Sequence, residues 1–289
     1  MSSNHYIGVD LGGTKILAGV FDRNLKCLVS DKNKTKAALG YSGVKERIIE
    51  TIKGALHLSG TDISNVKGIG IGAPGTISKD GESVLFAPNL DWREVPLKAD
   101  IEVELGCPVW LGNDCSVATM GIHRHELDSK HKNMICIFLG TGIGGGIISN
   151  GVMLKGETQA AGEVGHMVLD PKGPLCGCGV RGCYEALASR TAIYNKIKNA
   201  LENGEQTVLV EDGIKNLTKI RSGKLRRAVE AGDRLATKVL DETCFYSGIA
   251  IANLCNLLNP EVIVMGGGMI AQMGEVMLPK IKEAAFDRI

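Results

Sequence analysis

Apolar positions in this chain fall into short runs that stop at glycine. Tyr6–Leu11 reads as a strand, Gly12-Gly13 turns it, and Ile16–Phe21 returns as a second, with Cys27–Ser30 as a third strand of a meander. Val44–Leu58 places Val44, Ile48, Ile49, Ile52, Ala55 and Leu56 at helical spacing. Val66–Gly72 is a strand that runs into Ala73-Pro74-Gly75, and Ala87-Pro88-Asn89-Leu90 is a second Pro-marked loop. Val109–Leu111 is a short strand ending at Gly112-Asn113-Asp114, before a helix over Ser116–His125. Met134–Leu139 is a continuous apolar strand; a glycine-rich turn leads to a strand ending at Ser149 and an Asn150-Gly151 hairpin turn. Beyond a Gly- and Cys-rich stretch the pattern is helical, most clearly at Ser189–Asn203 and Asp233–Leu258, whereas Glu205–Leu217 has mixed signals and no assignment. Glu261–Met265 is a strand ending in Gly266-Gly267-Gly268, and a helix over Glu275–Ala285 follows.

The runs IGVDLGGTKILAGVFD and ICIFLGTGIGGGIISNG share one layout of apolar strand, Gly/Thr turn and apolar strand. A repeated hairpin predicts two related α/β domains, 1–111 and 112–289, the second carrying the Cys-rich loop. No low-complexity linker marks the boundary, which is inferred from topology. The length of 289 residues supports two cores, and 44% hydrophobic with 22% charged residues is ordinary for a soluble protein. The formal net charge of +1 gives no electrostatic case for nucleic acid or a membrane surface as partner. The N-terminus has no basic region followed by an apolar core, and no apolar run is long enough to span a bilayer. A cytoplasmic protein with reduced cysteines is therefore expected.

The most informative stretch is Glu163–Glu185, EVGHMVLDPKGPLCGCGVRGCYE. Its His166, Cys176, Cys178 and Cys183 form a Cys₃His set suited to tetrahedral Zn²⁺, and Gly173, Pro174, Gly177, Gly179 and Gly182 allow the tight turns between them. The plainer alternative is three buried free cysteines and a core histidine. In the first hairpin, Asp10, Gly12, Gly13, Thr14 and Lys15 offer backbone N–H groups and a hydroxyl to a phosphate, and Asp10 a carboxylate to Mg²⁺; a simple turn with a surface Asp is the competing reading. No Walker sequence is present. Gly140, Thr141 and Gly142 are the counterpart in the second hairpin. Asn89 suits a sugar hydroxyl or an Asx turn, and Asn113-Asp114 is either a helix cap or a hydrogen-bonding partner beside a general base. Gly266, Gly267 and Gly268 lead into a helix start that favours anionic ligands, or form a plain connection.

Taken together, DLGGTK, APG, PNL, LGND, LGTGIGGG, GEVGH…CGCGVRGCYE and VMGGG resemble the ROK family of sugar kinases and repressors, and within it the bacterial glucokinases. The resemblance covers nearly the whole chain. It implies a two-domain actin/hexokinase-like (ribonuclease H-like) α/β fold with a cleft between the domains. It further implies Asp114 as catalytic base, with Gly75, Asn89, Asn113, Glu163, His166 and Glu185 binding the sugar. His166 would also ligate zinc. ATP would be held by Asp10 with Mg²⁺, by the two hairpins and by Gly266–Gly268. The implied reaction is ATP-dependent phosphorylation of a hexose, glucose at O6; an N-acetylmannosamine or N-acetylglucosamine kinase and a sugar-binding regulator are the alternatives. A homo-oligomer is also implied.

The chain departs from the family pattern at Ser116 and Ile122, where Asn and Glu are usual. The segment HRHELDSKHKN, His123–Asn133, is charged and His-rich where a glycine-containing loop is usual, and reads as a solvated connection or a second metal site. Relatives usually continue for one further strand or helix past the position of Ile289, so a truncated or missing end is expected. No room is expected for a winged-helix region before the first hairpin.

Overall fold

The computed structural model describes residues 4–210 and 222–289. The chain divides into two compact units, Met1–Glu126 with Lys155–Ala161, and Leu127–Leu154 with Gly162–Ile289.

The first unit opens with strands β1 (His5–Leu11), β2 (Lys15–Phe21) and β3 (Cys27–Lys34), followed by helix α1 (Gly40–Ser59) and strand β4 (Val66–Ala73). Three short strands come next, β5 (Thr76–Ile77), β6 (Val84–Ala87) and β7 (Trp92–Val95), then α2 (Leu97–Leu105), β8 (Val109–Asn113) and α3 (Asp114–Gly121). The main sheet has the order β3-β2-β1-β4-β8, antiparallel through the first three strands and parallel from β1 to β4 to β8. Alternation along β1 and β2 turns Ile7, Val9, Leu11, Ile16, Ala18 and Val20 to one buried face, where Val44, Ile48, Ile52 and Ala55 of α1 join the same core. β3 extends to Lys34, beyond the expected end at Ser30, because this edge strand alternates polar residues that carry no hydrophobic signal.

The second unit contains β9 (Met134–Leu139), β10 (Ile143–Ser149), β11 (Val152–Met153), α4 (Tyr184–Ala188), α5 (Arg190–Glu202), α6 (Ser222–Glu230), α7 (Arg234–Leu258), β12 (Val262–Gly266) and α8 (Gly267–Phe286). Its sheet order is β11-β10-β9-β12, with β9 and β10 antiparallel and β12 parallel to β9. The repeated layout seen in the sequence is therefore a hairpin flanked by a parallel strand in each unit. Helix α8 packs on β9 and β12 and α7 packs on α8, and the two bring Leu235, Val239, Leu240, Met269, Met273, Met277 and Ile281 into one core.

Three expectations change. The compact units part at Glu126 rather than at 111, because β8 pairs with β4 and α3 packs on both. The helix expected over Ser116–His125 starts at Asp114 and ends at Gly121; Ile122–Glu126 winds as one π-helical turn. The last helix begins at Gly267 rather than Glu275, its glycine-rich start having hidden a buried stripe that already includes Met269 and Met273. The unassigned stretch Glu205–Leu217 forms no helix over 205–210, and 211–217 lies outside the described residues.

Candidate functional site

In the first unit the glycine hairpin closes through Gly12 N–H to Lys15 O at 2.9 Å. Buried Thr35 pins it: its hydroxyl donates to Gly12 O at 2.6 Å and its N–H to Thr14 O at 3.0 Å. Asp10, Gly13, Thr14 and Lys15 stay exposed, so donors and the carboxylate are open to a ligand. A Cβ on Gly13 would lie 3.4 Å from Asn89 Cβ, which brings the hairpin to the Pro88–Leu90 turn and its exposed Asn89. Gly75 has φ +87°, and a Cβ there would overlap Phe86 O at 2.0 Å, so the Ala73-Pro74-Gly75 loop needs glycine at this point.

Asn113 and Asp114 sit where β8 becomes α3. Asn113 is an N-cap: its side-chain oxygen accepts from Ser116 N–H at 3.0 Å, while its amide group donates to Gly75 O at 3.0 Å. The cap also fixes Asp114 as the first helical residue. Asp114 Oδ1 accepts from Cys115 N–H at 2.8 Å. Burial pushes its carboxyl above the ordinary carboxylate value, the Cys115 hydrogen bonds pull it back in part, and the charge of Asp10 adds to the rise. Asp10 pairs in register with Gly72, and a Cβ on Gly72 would lie 3.4 Å from Asp114 Cα.

In the second unit Gly140 N–H donates to Gly142 O at 2.9 Å, closing the second hairpin with Thr141 exposed at its tip. Gly267, at φ +89°, packs on the end of β9, where a Cβ would lie 2.4 Å from Leu139 O. The N-terminus of α8 therefore opens beside this hairpin. Its cap residue Gly266 has no side chain to satisfy the first N–H groups, and Gly268 is open.

Glu163 and His166 are exposed on the Val164–His166 3-10 turn. His166, Cys176, Cys178 and Cys183 bring one donor atom each within 4.8 Å of one another. His166 Nδ1 lies 3.8 Å from Cys176 Sγ, and Cys178 Sγ lies 3.6 Å from Cys183 Sγ. A tetrahedron with ligand distances of about 2.0–2.3 Å has edges of about 3.3–3.8 Å, so the donor set and these two separations fit Zn²⁺. The loop folds this way because Cys176 N–H donates to Val180 O at 2.8 Å and Gly179 N–H to Cys176 O at 3.0 Å. Gly182 (φ +76°) permits the close return past Asp170 O. His166 and Cys178 are exposed, so the four are not a core cluster. Among the described residues no second such group occurs, and His123–Asn133 is largely exposed apart from buried His123.

Glu185 is already engaged with the second hairpin. Its Oε2 accepts from Ile143 N–H at 2.8 Å, and its Oε1 lies 3.9 Å from Cys176 Sγ. Sequence reasoning missed this contact, and it missed Thr35, Arg190 and Thr191, which hold the two hairpins through backbone groups. Only Ser189, the N-cap of α5, left a local signal near that clasp.

A sequence model of the ROK family matches residues 6–288. The chain belongs to the ROK family. This ROK protein is 36% identical to a protein named Glucokinase from Halalkalibacterium halodurans, over 98% of this chain and 86% of that one. It aligns with the crystal structure of a ROK family glucokinase from Streptomyces griseus in complex with glucose and AMPPNP at a TM-score of 0.84 and 37% identity, covering 97% of this chain and 88% of that one. It is also 29% identical to a putative xylose repressor from Caldicellulosiruptor, over 98% of this chain and 70% of that protein. The fold is accordingly the two-domain actin/hexokinase type of the ROK kinases. No helix among the described residues is long and apolar enough to cross a membrane.

Proposed function

We propose that this ROK protein is an ATP-dependent hexose kinase that phosphorylates glucose at O6. The observation that carries the reading is Asp114, a half-buried carboxylate with a raised pKa, fixed by a helix cap in a chain with two glycine hairpins. Asp114 takes the proton from the sugar hydroxyl as it attacks the γ-phosphate of ATP, and its raised pKa makes it a better acceptor than an ordinary carboxylate. Gly75, Asn89, Asn113, Glu163, His166 and Glu185 bind sugar hydroxyls. Asn113, already capping α3 and reaching Gly75 O, serves the sugar with its remaining acceptor capacity and by holding the Gly75 loop. Phosphoryl transfer depends mainly on positioning and charge neutralisation, which the hairpin N–H groups, Lys15 and the α8 N-terminus supply to the phosphates. Asp10 would hold Mg²⁺, which neutralises phosphate charge when bound. His166, Cys176, Cys178 and Cys183 would hold Zn²⁺, which fixes the loop carrying Glu163 and His166 and leaves His166 Nε2 for the sugar. The reading places the enzyme in the cytoplasm as a homo-oligomer, the second point being open to sedimentation analysis.

The deciding experiment is ADP release with Mg-ATP and glucose, N-acetylmannosamine, N-acetylglucosamine, mannose or fructose, with Asp114→Asn in parallel. Glucose turnover that falls by about 10²–10⁴ in the variant is expected. Turnover with an N-acetylated sugar alone keeps the mechanism and moves the substrate. Sugar binding without turnover by the folded, metal-loaded protein supports the regulator reading and overturns the kinase.

A further inference from the structure

The short helix α4 joins the metal-ligand set to the second glycine hairpin at both of its ends. Its N-cap is Cys183, one of the four donors. Two residues on, Glu185 Oε2 accepts from Ile143 N–H at 2.8 Å, and a Cβ on Gly142 would lie 2.2 Å from that oxygen. Where the chain leaves α4 for α5, Arg190 N–H donates to Gly140 O at 3.0 Å. Thr191 donates to Thr141 O through both its N–H, at 3.3 Å, and its hydroxyl, at 2.7 Å. The Arg190 guanidinium reaches Thr141 Oγ1 at 2.5 Å. The hairpin tip from Gly140 to Ile143 is thus held by groups at the entry and the exit of one helix, and that helix starts on a metal donor.

We propose that Glu185 is a positioning residue for nucleotide, and that α4 makes the shape of the second hairpin depend on the filled metal set. A carboxylate accepting a backbone N–H is a charge-assisted bond that holds its partner more firmly than a neutral one. Here it orients the first N–H of β10 at the turn that presents Thr141. Loss of the metal releases Cys183, the start of α4 and with it the Glu185 carboxylate, so the hairpin loosens at Ile143 and again at Gly140–Thr141. Emptying the metal set then weakens nucleotide as well as sugar, although the four donors lie on the loop that carries His166. The nucleotide half of this inference rests on the reading of the hairpin as a phosphate cradle. The mechanical half rests on the hydrogen bonds alone.

The test uses the full-length, metal-loaded protein, with metal content measured in every sample. Amide hydrogen exchange of the Gly140–Gly146 segment and equilibrium AMPPNP binding are followed in wild type, in Glu185→Ala, in Glu185→Gln and after chelation. Expected is faster exchange at Ile143 in Glu185→Ala with metal still bound, the same change after chelation, and AMPPNP affinity lower by about ten- to a hundredfold in both. Glu185→Gln keeps a carbonyl oxygen for Ile143 N–H and is expected to recover much of the protection and the affinity, which a general loss of stability would not do. Unchanged exchange at Ile143 in metal-loaded Glu185→Ala overturns the inference. If chelation raises exchange throughout α7, the metal-loaded variants alone decide. Faster exchange at Ile143 with no AMPPNP binding by any form, wild type included, supports the mechanical link and overturns the nucleotide role together with the kinase reading.

Discussion

Asp114 carries opposite consequences for activity and for stability. Burial makes its folded carboxyl hold a proton more tightly than in the unfolded chain. The stability this gives is fully present below the unfolded pKa and is lost as pH rises through the folded one, so at neutral pH the anion is a net cost. Asp114→Asn is therefore expected to raise the melting temperature by about 1–3 °C while removing turnover, as calorimetry beside the kinase assay would record. A lower melting temperature would show that the Cys115 N–H bond outweighs the burial cost. In the intact enzyme kcat/KM should fall on the acid side with an apparent pKa above the ordinary carboxylate value. Asp10→Asn should move that limb to lower pH, because one of the charges raising Asp114 is gone; a limb that stays in place would disconnect the two carboxylates. At Gly75, alanine meets both a left-handed φ and Phe86 O, and a loss of at least about 1–2 kcal/mol in a denaturant titration is expected.

At the scale of elements, legibility followed the chemistry of each signal. Strand–glycine–strand hairpins can be read because two apolar runs and a turn lie next to one another in sequence. The Cys/His cluster can be read because its members are rare residue types in one loop. The dual state of Asn113 could not be resolved, since a cap and a binding residue use the same side chain and only the Gly75 O contact shows what its amide group does. The role of Glu185 against Ile143 was hidden for a related reason: its partner is a backbone N–H 42 positions away, and backbone groups have no sequence signature. The start of α8 was missed because glycine scores poorly in helices, although here it lets Gly267 approach Leu139 O. These close approaches give a sharp prediction for the second hairpin. Gly142→Ala would drive a methyl group into Glu185 Oε2, so nucleotide affinity should fall more than glucose affinity, which has other proposed ligands besides Glu185, as paired calorimetric titrations would reveal. Equal losses for both ligands would mean that the hairpin does not act separately.

At the scale of the molecule, the two units have separate hydrophobic clusters, one around β1, β4 and α1, the other around β9, α7 and α8. All four residues of the candidate metal set lie in the second. Chelation should consequently raise hydrogen exchange in α4 and at the Gly140–Ile143 hairpin tip and leave β1, β4 and α1 unchanged; a uniform rise across both clusters would contradict their independence. The division into units is not a division of the gene. The chain passes from the first unit to the second after Glu126, returns for Lys155–Ala161, where Glu157 meets Lys79, and leaves again at Gly162. Neither unit is therefore encoded by one continuous stretch. A recombinant that exchanges everything after Glu126 between two relatives inherits the body of its first unit from one parent and this small returning segment from the other. Crossovers that keep the parentage of each unit intact must come as a set of three, one at Glu126 and one on either side of Lys155–Ala161.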